Sequence, residues 1–275
     1  MLKDKIIVIT GGGGILCSAF AEELAKEGAK IAVLDLNLAA AQKVADKIIS
    51  NGGIAIAESC NVLLRESLEA TRLNIINKLG KCDILINGAG GNNPKGNTTK
   101  EIFQPSDIGE AGVSTFFDLK AENVNFVFNL NFTGTLLPTQ VFAEDMVNRD
   151  GVILNMSSMS AYNPLTKVPV YSAAKAAISN FTMWLAVHFA PVGIRVNAMA
   201  PGFFDTNQNH SLLFNEDGTP TERTAKIIAH TPMRRMGTTE DLLGTLKFLL
   251  DNEQSAFITG TIIPIDGGFS AYSGV

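Results

Sequence analysis

Tyr171 and Lys175 stand four residues apart in Tyr-Ser-Ala-Ala-Lys, at the start of a helical pattern running to about Ala190. That spacing makes them neighbours on one helical face. A free phenol, with a pKa near 10, is a poor base at neutral pH, but an ammonium beside it favours the phenolate and lowers that value. Tyr171 is thereby suited to exchanging a proton with an oxygen of a bound molecule. A second constellation lies near the amino terminus, where Thr10-Gly11-Gly12-Gly13-Gly14-Ile15-Leu16-Cys17 joins a β-branched run to a helical pattern. Glycines there let backbone approach a pyrophosphate, and a helix start supplies free N–H groups and a positive dipole end. A tight turn without a ligand is the plain alternative. Asp35 closes the next β-branched run, 24 residues beyond Gly11. Its carboxylate can accept from both hydroxyls of an adenosine ribose and would repel a 2′-phosphate, a selection of NAD over NADP, or it can cap the helix that follows. No Lys or Arg lies between Asp35 and Lys43 to favour the opposite choice.

These groups need a scaffold, and the chain's rhythm describes one. Short β-branched runs at 6–10, 31–35, 54–58, 84–87, 152–157, 194–198 and 262–265 alternate with longer helical patterns, the first at 18–27 and stopped by Gly28. Such alternation predicts an α/β fold, a doubly wound parallel sheet with helices on both faces. At 275 residues, 46% hydrophobic and 18% charged, the chain excludes disorder and low-complexity scaffolding. Two stretches interrupt the rhythm, one polar and glycine-bearing from 91 to about 123, the other within about 203–222. Strand and helix patterns resume after each, so we expect one domain over 1–275 with two excursions above the sheet, where binding loops belong.

A net charge of −5 with no run of like charges argues against a nucleic-acid footprint. Cys17, Cys60 and Cys82 form no Cys-x-x-Cys pair, and His188, His210 and His230 show no ligand spacing, so no metal is expected. No stretch approaches the roughly 18 apolar residues of a membrane span. The expected compartment is the cytoplasm.

The chain resembles the short-chain dehydrogenase/reductase family over nearly its whole length, through Thr10-Gly11, Asp35, Asn87-Gly88-Ala89-Gly90, Asn131, Ser158, Tyr171, Lys175, Asn197, Pro201-Gly202 and Thr206, in the family's order. That resemblance implies a Rossmann-like oxidoreductase in which Ser158 polarises a substrate carbonyl and Tyr171 is the acid/base. Lys175 would hold the nicotinamide ribose and tune Tyr171, and Asn131 would anchor a water completing a proton relay. Ser157 is then structural. NAD would lie on the Gly11, Gly13, Gly14 and Ile15 turn, with Asp35 and Leu36 at the ribose and Asn61 and Val62 beside the adenine. Asn87, Gly88, Ala89 and Gly90 would form a strand-end turn against the adenosine side, and Pro201, Gly202 and Thr206 would lie along the nicotinamide. The resemblance also implies a homotetramer, pairing the helix that carries Phe181, Trp184 and Leu185 with its copy and using 262–269 in a second contact.

Three departures stand out. The family's usual glycines fall at Ile15 and Cys17, with the glycine run shifted earlier here, and Asn61 occupies a place usually held by Asp. From Asn87 to Asn131 is 44 residues, about twenty more than usual, and a loop lengthened so far suits a lid, a substrate wall or a subunit contact. Gly91-Asn92-Asn93-Pro94, that insertion and the segment from Pro201 to Asn209 resemble the sugar-acid branch, the D-mannonate oxidoreductases or fructuronate reductases. Amides at Asn207, Gln208 and Asn209 suit a polyhydroxylated substrate, and Asn92, Asn93 and Ser158 are the other expected contacts of that substrate. Its carboxylate needs a cation, for which Lys95, Lys167, His210, Arg234 and Arg235 are candidates, Lys167 being nearest to Tyr171 in sequence. His188 and His230 read as surface and loop residues. The alternatives are another polyol or sugar acid such as gluconate, a 3-oxoacyl substrate, or an NAD-binding sensor without chemistry.

Overall fold

The computed structural model describes residues 2–205 and 213–274. Seven strands, β1 Ile6–Thr10, β2 Lys30–Asp35, β3 Ile54–Ser59, β4 Ile84–Asn87, β5 Val152–Met156, β6 Arg195–Pro201 and β7 Ile262–Ile265, form one parallel sheet in the order β3-β2-β1-β4-β5-β6-β7. The winding reverses between β1 and β4. In a doubly wound sheet, ligands bind in the crevice at that switch, beyond the carboxyl ends of the strands.

Alternation of side chains along each strand divides the core in two. Ile7, Ile9, Ile31, Val33, Ile84 and Ile86 face α1 (Ile15–Lys26), α2 (Leu38–Ser50) and α8 (Thr239–Leu250), where they meet Phe20, Leu24, Val44, Ile48 and Leu246. Val8, Ala32, Leu34, Leu85, Ile153 and Val196 face the other way, onto Leu68 and Ile75 of α3 (Arg65–Lys78), Phe142 of α5 (Gly134–Phe142) and Leu185 of α6 (Pro169–Phe189). Two further helices, α4 (Ala121–Phe128) and α7 (Glu222–His230), lie on the excursions after β4 and β6. None of the helices described is long and apolar enough to cross a membrane.

The predicted doubly wound single-domain fold is the fold observed, and its differences in detail have local causes. β6 runs on to Pro201 instead of ending at 198, because β7 pairs along Ala198 to Pro201 and holds the strand extended. α1 begins at Ile15 rather than 18, directly on the last glycine of the turn. His230 is the last residue of α7, not a loop residue.

The 91–123 excursion holds three single 3₁₀ turns and the start of α4, and its outer surface is less uniformly polar than its amides led us to expect. Ile102, Phe103, Ile108, Phe116 and Phe117 are exposed. The rings of Phe103 and Phe117 meet edge-on at 5.7 Å. Several of its polar side chains are spent internally, on caps such as Asn93 on Lys95 N–H and Thr115 on Phe117 N–H.

Candidate active site

The crevice between β1 and β4 is built largely from backbone. Gly11 adopts φ +63°, a conformation that favours glycine, and a Cβ there would lie 2.9 Å from the Ala89 backbone. Thr10 Oγ1 accepts from Gly88 N–H (3.1 Å) and Ala89 N–H (3.2 Å), which ties the two strand ends together. A Cβ on Gly88 would run into Cys17 Sγ and would meet the Thr10 carbonyl at 2.7 Å. Cys17, standing where the family has glycine, therefore packs its sulfur against Gly88, and burial pushes its thiol up to about 12. Gly14 is the N-cap of α1 and offers no side chain to cap it. First-turn amides left this way, beside a glycine turn, form an anion cradle.

Asp35 stands at the end of β2. One carboxylate oxygen accepts from Gly13 N–H at 3.1 Å and the other from Asn37 N–H at 2.9 Å. Each oxygen keeps a lone pair for a further donor. The N-cap of α2 is Asn37, whose Oδ1 accepts from Ala39 and Ala40 N–H, so the capping alternative for Asp35 falls. Leu36 is exposed and Val62 buried. Asn61 Oδ1 accepts from Leu63 N–H, which shapes the turn after β3. Asn87 departs from expectation: its amide points into the core and donates to Thr139 Oγ1 and Asn155 Oδ1, both at 2.9 Å. It braces β4 against β5 and α5, so the residues of this turn that face the crevice are Gly88, Ala89 and Gly90.

The chemical half lies at the end of β5. Ser158 caps a short 3₁₀ turn there, its Oγ accepting from Ser160 N–H and Oγ–H at 3.2 and 3.0 Å. Ser157 is turned away, bonding Lys175 O (3.2 Å) and Ser179 Oγ (2.7 Å) and so fastening β5 to α6. From α6 come Tyr171 and Lys175, with the lysine nitrogen 5.6 Å from the centre of the tyrosine ring. Asn131 occupies a π-helical turn, Asn129–Thr133, between α4 and α5, a distortion frequent at functional sites. Its amide clasps Gly91, accepting from the N–H at 3.2 Å and donating to the O at 2.7 Å. A Cβ on Gly90 would lie 2.8 Å from Asn131 Oδ1 and 3.3 Å from Lys175 Nζ. Gly90 is thus the point on which Asn131 and Lys175 converge.

The electrostatics correct one expectation. The Tyr171 phenol is shifted up, not down, by burial, with the Ser158 hydroxyl beside it pulling partly back. Lys175 does not reverse this, because it lies over the ring face and donates to Met156 O at 2.8 Å. Burial lowers Lys175 instead, to about 8. The lysine thus gives up its proton more readily than a free amine does.

Beneath these side chains runs a buried polar ladder that the sequence did not reveal. Thr135 Oγ1 donates to Asn131 O, Thr139 Oγ1 to Thr135 O, Asn87 links Thr139 to Asn155, and Asn155 Nδ2 donates to Thr182 Oγ1. Polar residues in otherwise apolar strands, Asn87 and Asn155, were its available signal. Asn197 belongs to another brace, joining β6 to Ile258 O and Thr261 N–H. Gly202 sits so close to Asp266 that a Cβ would fall 2.7 Å from its Cα, and Pro201 pairs with Ile265.

Asn92 Nδ2 donates to Asn97 Oδ1 and Asn93 caps its own loop, so both amides already serve local structure. Thr206, Asn207, Gln208, Asn209 and His210 lie outside the described residues. Among the cations, Arg234 donates to Ala229 O at the end of α7 and Arg235 forms two contacts with Asp241. Lys95 and Lys167 are exposed. His188 stacks on Trp184 on the outer face of α6, ring centres 4.7 Å apart.

The enoyl-(acyl carrier protein) reductase family matches residues 14–270. An uncharacterized oxidoreductase of Haemophilus influenzae is 57% identical over all of this chain and 96% of its own length. The uncharacterized oxidoreductase UxuB of Bacillus subtilis is 53% identical, over 100% of this chain and 98% of its own. A crystal structure from Haemophilus influenzae with bound NAD, provisionally named a D-mannonate oxidoreductase, superposes with a TM-score of 0.96 at 56% identity, covering 100% of this chain and 98% of that one. With the crevice, the Tyr171–Lys175 pair and these likenesses together, the chain belongs to the short-chain dehydrogenase/reductase family of oxidoreductases.

Proposed function

We propose that the protein is an NAD-dependent dehydrogenase that interconverts a secondary alcohol of a sugar acid and its ketone, D-mannonate and D-fructuronate being the first-choice pair. The observation that carries this reading is the convergence of Ser158, Tyr171 and Lys175 at the end of β5, beside a crevice whose glycines and uncapped helix start fit a pyrophosphate. The substrate identity is supported by the similar NAD-bound Haemophilus structure and its provisional name.

The turn of Gly11, Gly13 and Gly14 would lie under the pyrophosphate, with the Ile15 N–H at the start of α1 directed to it, and Asp35 would hold the adenosine ribose, with Leu36, Asn61 and Val62 near the adenine and Pro201 and Gly202 near the nicotinamide. NAD, when bound, supplies the acceptor for the hydride that leaves the carbinol carbon. Tyr171, in its phenolate form, would take the hydroxyl proton while Ser158 hydrogen-bonds the same oxygen and stabilises the developing carbonyl; in the reverse direction the neutral phenol, which burial favours, would give that proton back to the ketone oxygen. Lys175, with its lowered affinity for a proton, would exchange that proton with the side of the pocket where Asn131 and Lys175 approach Gly90. Alignment and the exclusion of water are the rest of the protein's share. The same reading makes the enzyme a cytoplasmic homotetramer paired through α6, where Met183, Trp184 and Val187 are exposed.

The test is oxidation of NADH with D-fructuronate, set beside other keto acids and a 3-oxoacyl thioester and repeated with NADPH. Tyr171→Phe is expected to lose at least a thousandfold in kcat while binding NADH as the parent does. A residual rate near the parent's would remove Tyr171 from the chemistry. Preference for the thioester would move the enzyme to acyl substrates, and preference for NADPH would overturn the role of Asp35.

A further inference from the structure

Among the described residues, the excursions after β4 and β6 are joined by an ion pair. Lys226 Nζ on α7 contacts both oxygens of Glu101, at 2.7 and 2.8 Å. β4 and β6 flank β5 in the sheet, so this contact crosses from one side to the other of the strand whose end carries Ser158. The connection after β5 contributes as well: Lys167, just before α6, accepts at its carbonyl from Thr98 N–H of the β4 excursion at 3.0 Å. The Glu101 carboxyl is held below its ordinary value chiefly by Lys226, with Lys167 and His230 adding to the effect. His230 is fixed on the same helix as Lys226, its Nδ1 2.8 Å from Lys226 O.

One carboxylate is thus bonded to Lys226 and lies within the electrostatic reach of Lys167 and His230, groups drawn from the walls after β5 and β6. Lys226 also reaches away from the acid of its own helix, since Glu222, one turn earlier, has no ion pair among the described residues. Exposed ion pairs between long side chains are weak and exchangeable, and this pair is exposed at both ends, 57% for Lys226 and 40% for Glu101. Arg234 and Arg235 are engaged elsewhere. We propose that Lys226, with Lys167 and His230 around it, is the recognition point for the substrate's carboxylate, and that Glu101 is an internal stand-in which occupies that point until the substrate displaces it. This rests on the sugar-acid reading above and adds the residues that distinguish an acid from a neutral polyol. Lys226 was not among the sequence candidates, because nothing local connects it to Tyr171.

The experiment compares D-mannonate with its neutral amide on the NAD-loaded enzyme, by steady-state kinetics and by calorimetric binding. Lys226→Met is expected to raise KM and Kd for mannonate at least tenfold, with kcat falling less than threefold and the amide's constants moving less than threefold. Glu101→Gln, which removes the competitor, should lower KM for mannonate severalfold. Glu222→Gln removes the same charge one turn away and should leave it unchanged. Equal effects of Glu101→Gln and Glu222→Gln would reduce the matter to a general field and overturn the inference. A Lys226→Met penalty shared by acid and amide, or absent from both, would overturn it too. If the parent enzyme prefers a different hydroxy acid and the Lys226→Met penalty still falls on acid over amide, the mannonate assignment fails and this inference stands. A parent enzyme that binds neutral polyols better than their acids sinks both.

Discussion

The floor of the site and its rim are built on opposite physical terms. In the floor, Asn87, Asn131, Asn155 and Thr182 are at most 1% exposed and Lys175 only 4%, and each of these side chains is hydrogen-bonded. In the rim, Glu101, Lys226, Phe116 and Phe117 are open to solvent, and the side-chain contact described between the excursions after β4 and β6 is an exchangeable ion pair. Proton transfer tolerates little misplacement, so its groups are held by buried bonds that are costly to break. Recognition of a flexible, charged substrate is better served by contacts that can be traded for the substrate's own.

That contrast can be broken most forcefully at Lys175. A buried ammonium whose pKa falls from 10.5 to about 8 burdens the fold. Between about pH 8 and 10.5 the unfolded chain keeps a proton that the native state sheds, so the native state gains stability with rising pH across that window and bears the full cost below it, on the order of 3 kcal/mol. Lys175→Met should therefore lose at least a hundredfold in kcat yet unfold at higher urea at pH 7, by about 1–2 kcal/mol after allowing for the donor lost at Met156 O. The gain should shrink as pH approaches 10.5. A variant less stable than the parent at pH 7 would show that the lysine supports the floor rather than straining it.

Gly88→Ala comes next. Its methyl would press on Cys17 Sγ and on the Thr10 carbonyl, and overpacking of this kind costs about 1–3 kcal/mol. Adding Cys17→Ala should restore part of that loss in a denaturant titration, because the conflict with backbone persists. Full restoration would mean the sulfur alone sets the requirement for glycine. In the ladder, Thr182→Val keeps the shape but strips Asn155 Nδ2 of its acceptor, for an expected loss of about 1–2 kcal/mol.

What the sequence made legible divides along the same line. Tyr171 with Lys175, the glycine turn with its helix, and the strand rhythm are local patterns whose periods map directly onto structure. Thr10 holding Gly88, 78 residues away, and Asn87 holding Asn155, 68 away, depend on register between strands that no local window contains. The π-turn at Asn131 leaves no mark in Asn-Leu-Asn-Phe-Thr. The excursion at 91–123 misleads by composition, because its Asn and Thr side chains cap their own turns and its scattered Ile and Phe remain on the outside. Asp35 and Asn37 illustrate the same limit at short range: both types cap helices, and only the backbone path decides that Asn37 does so here.

The smallest expected effect is the one that separates rim from floor most cleanly. Glu101→Gln and Lys226→Met each remove half of an exposed pair, and such pairs contribute about 0.2–1 kcal/mol. Their urea midpoints should therefore stay close to the parent's, and the small difference that remains should diminish in high salt as the charges are screened. The Thr182→Val deficit, arising from an unsatisfied group in the interior, should be insensitive to salt. A Glu101→Gln variant as destabilised as Thr182→Val, and equally indifferent to salt, would mean that the two excursions are clamped by this contact, and the division between a fixed floor and an exchangeable rim would have to be given up.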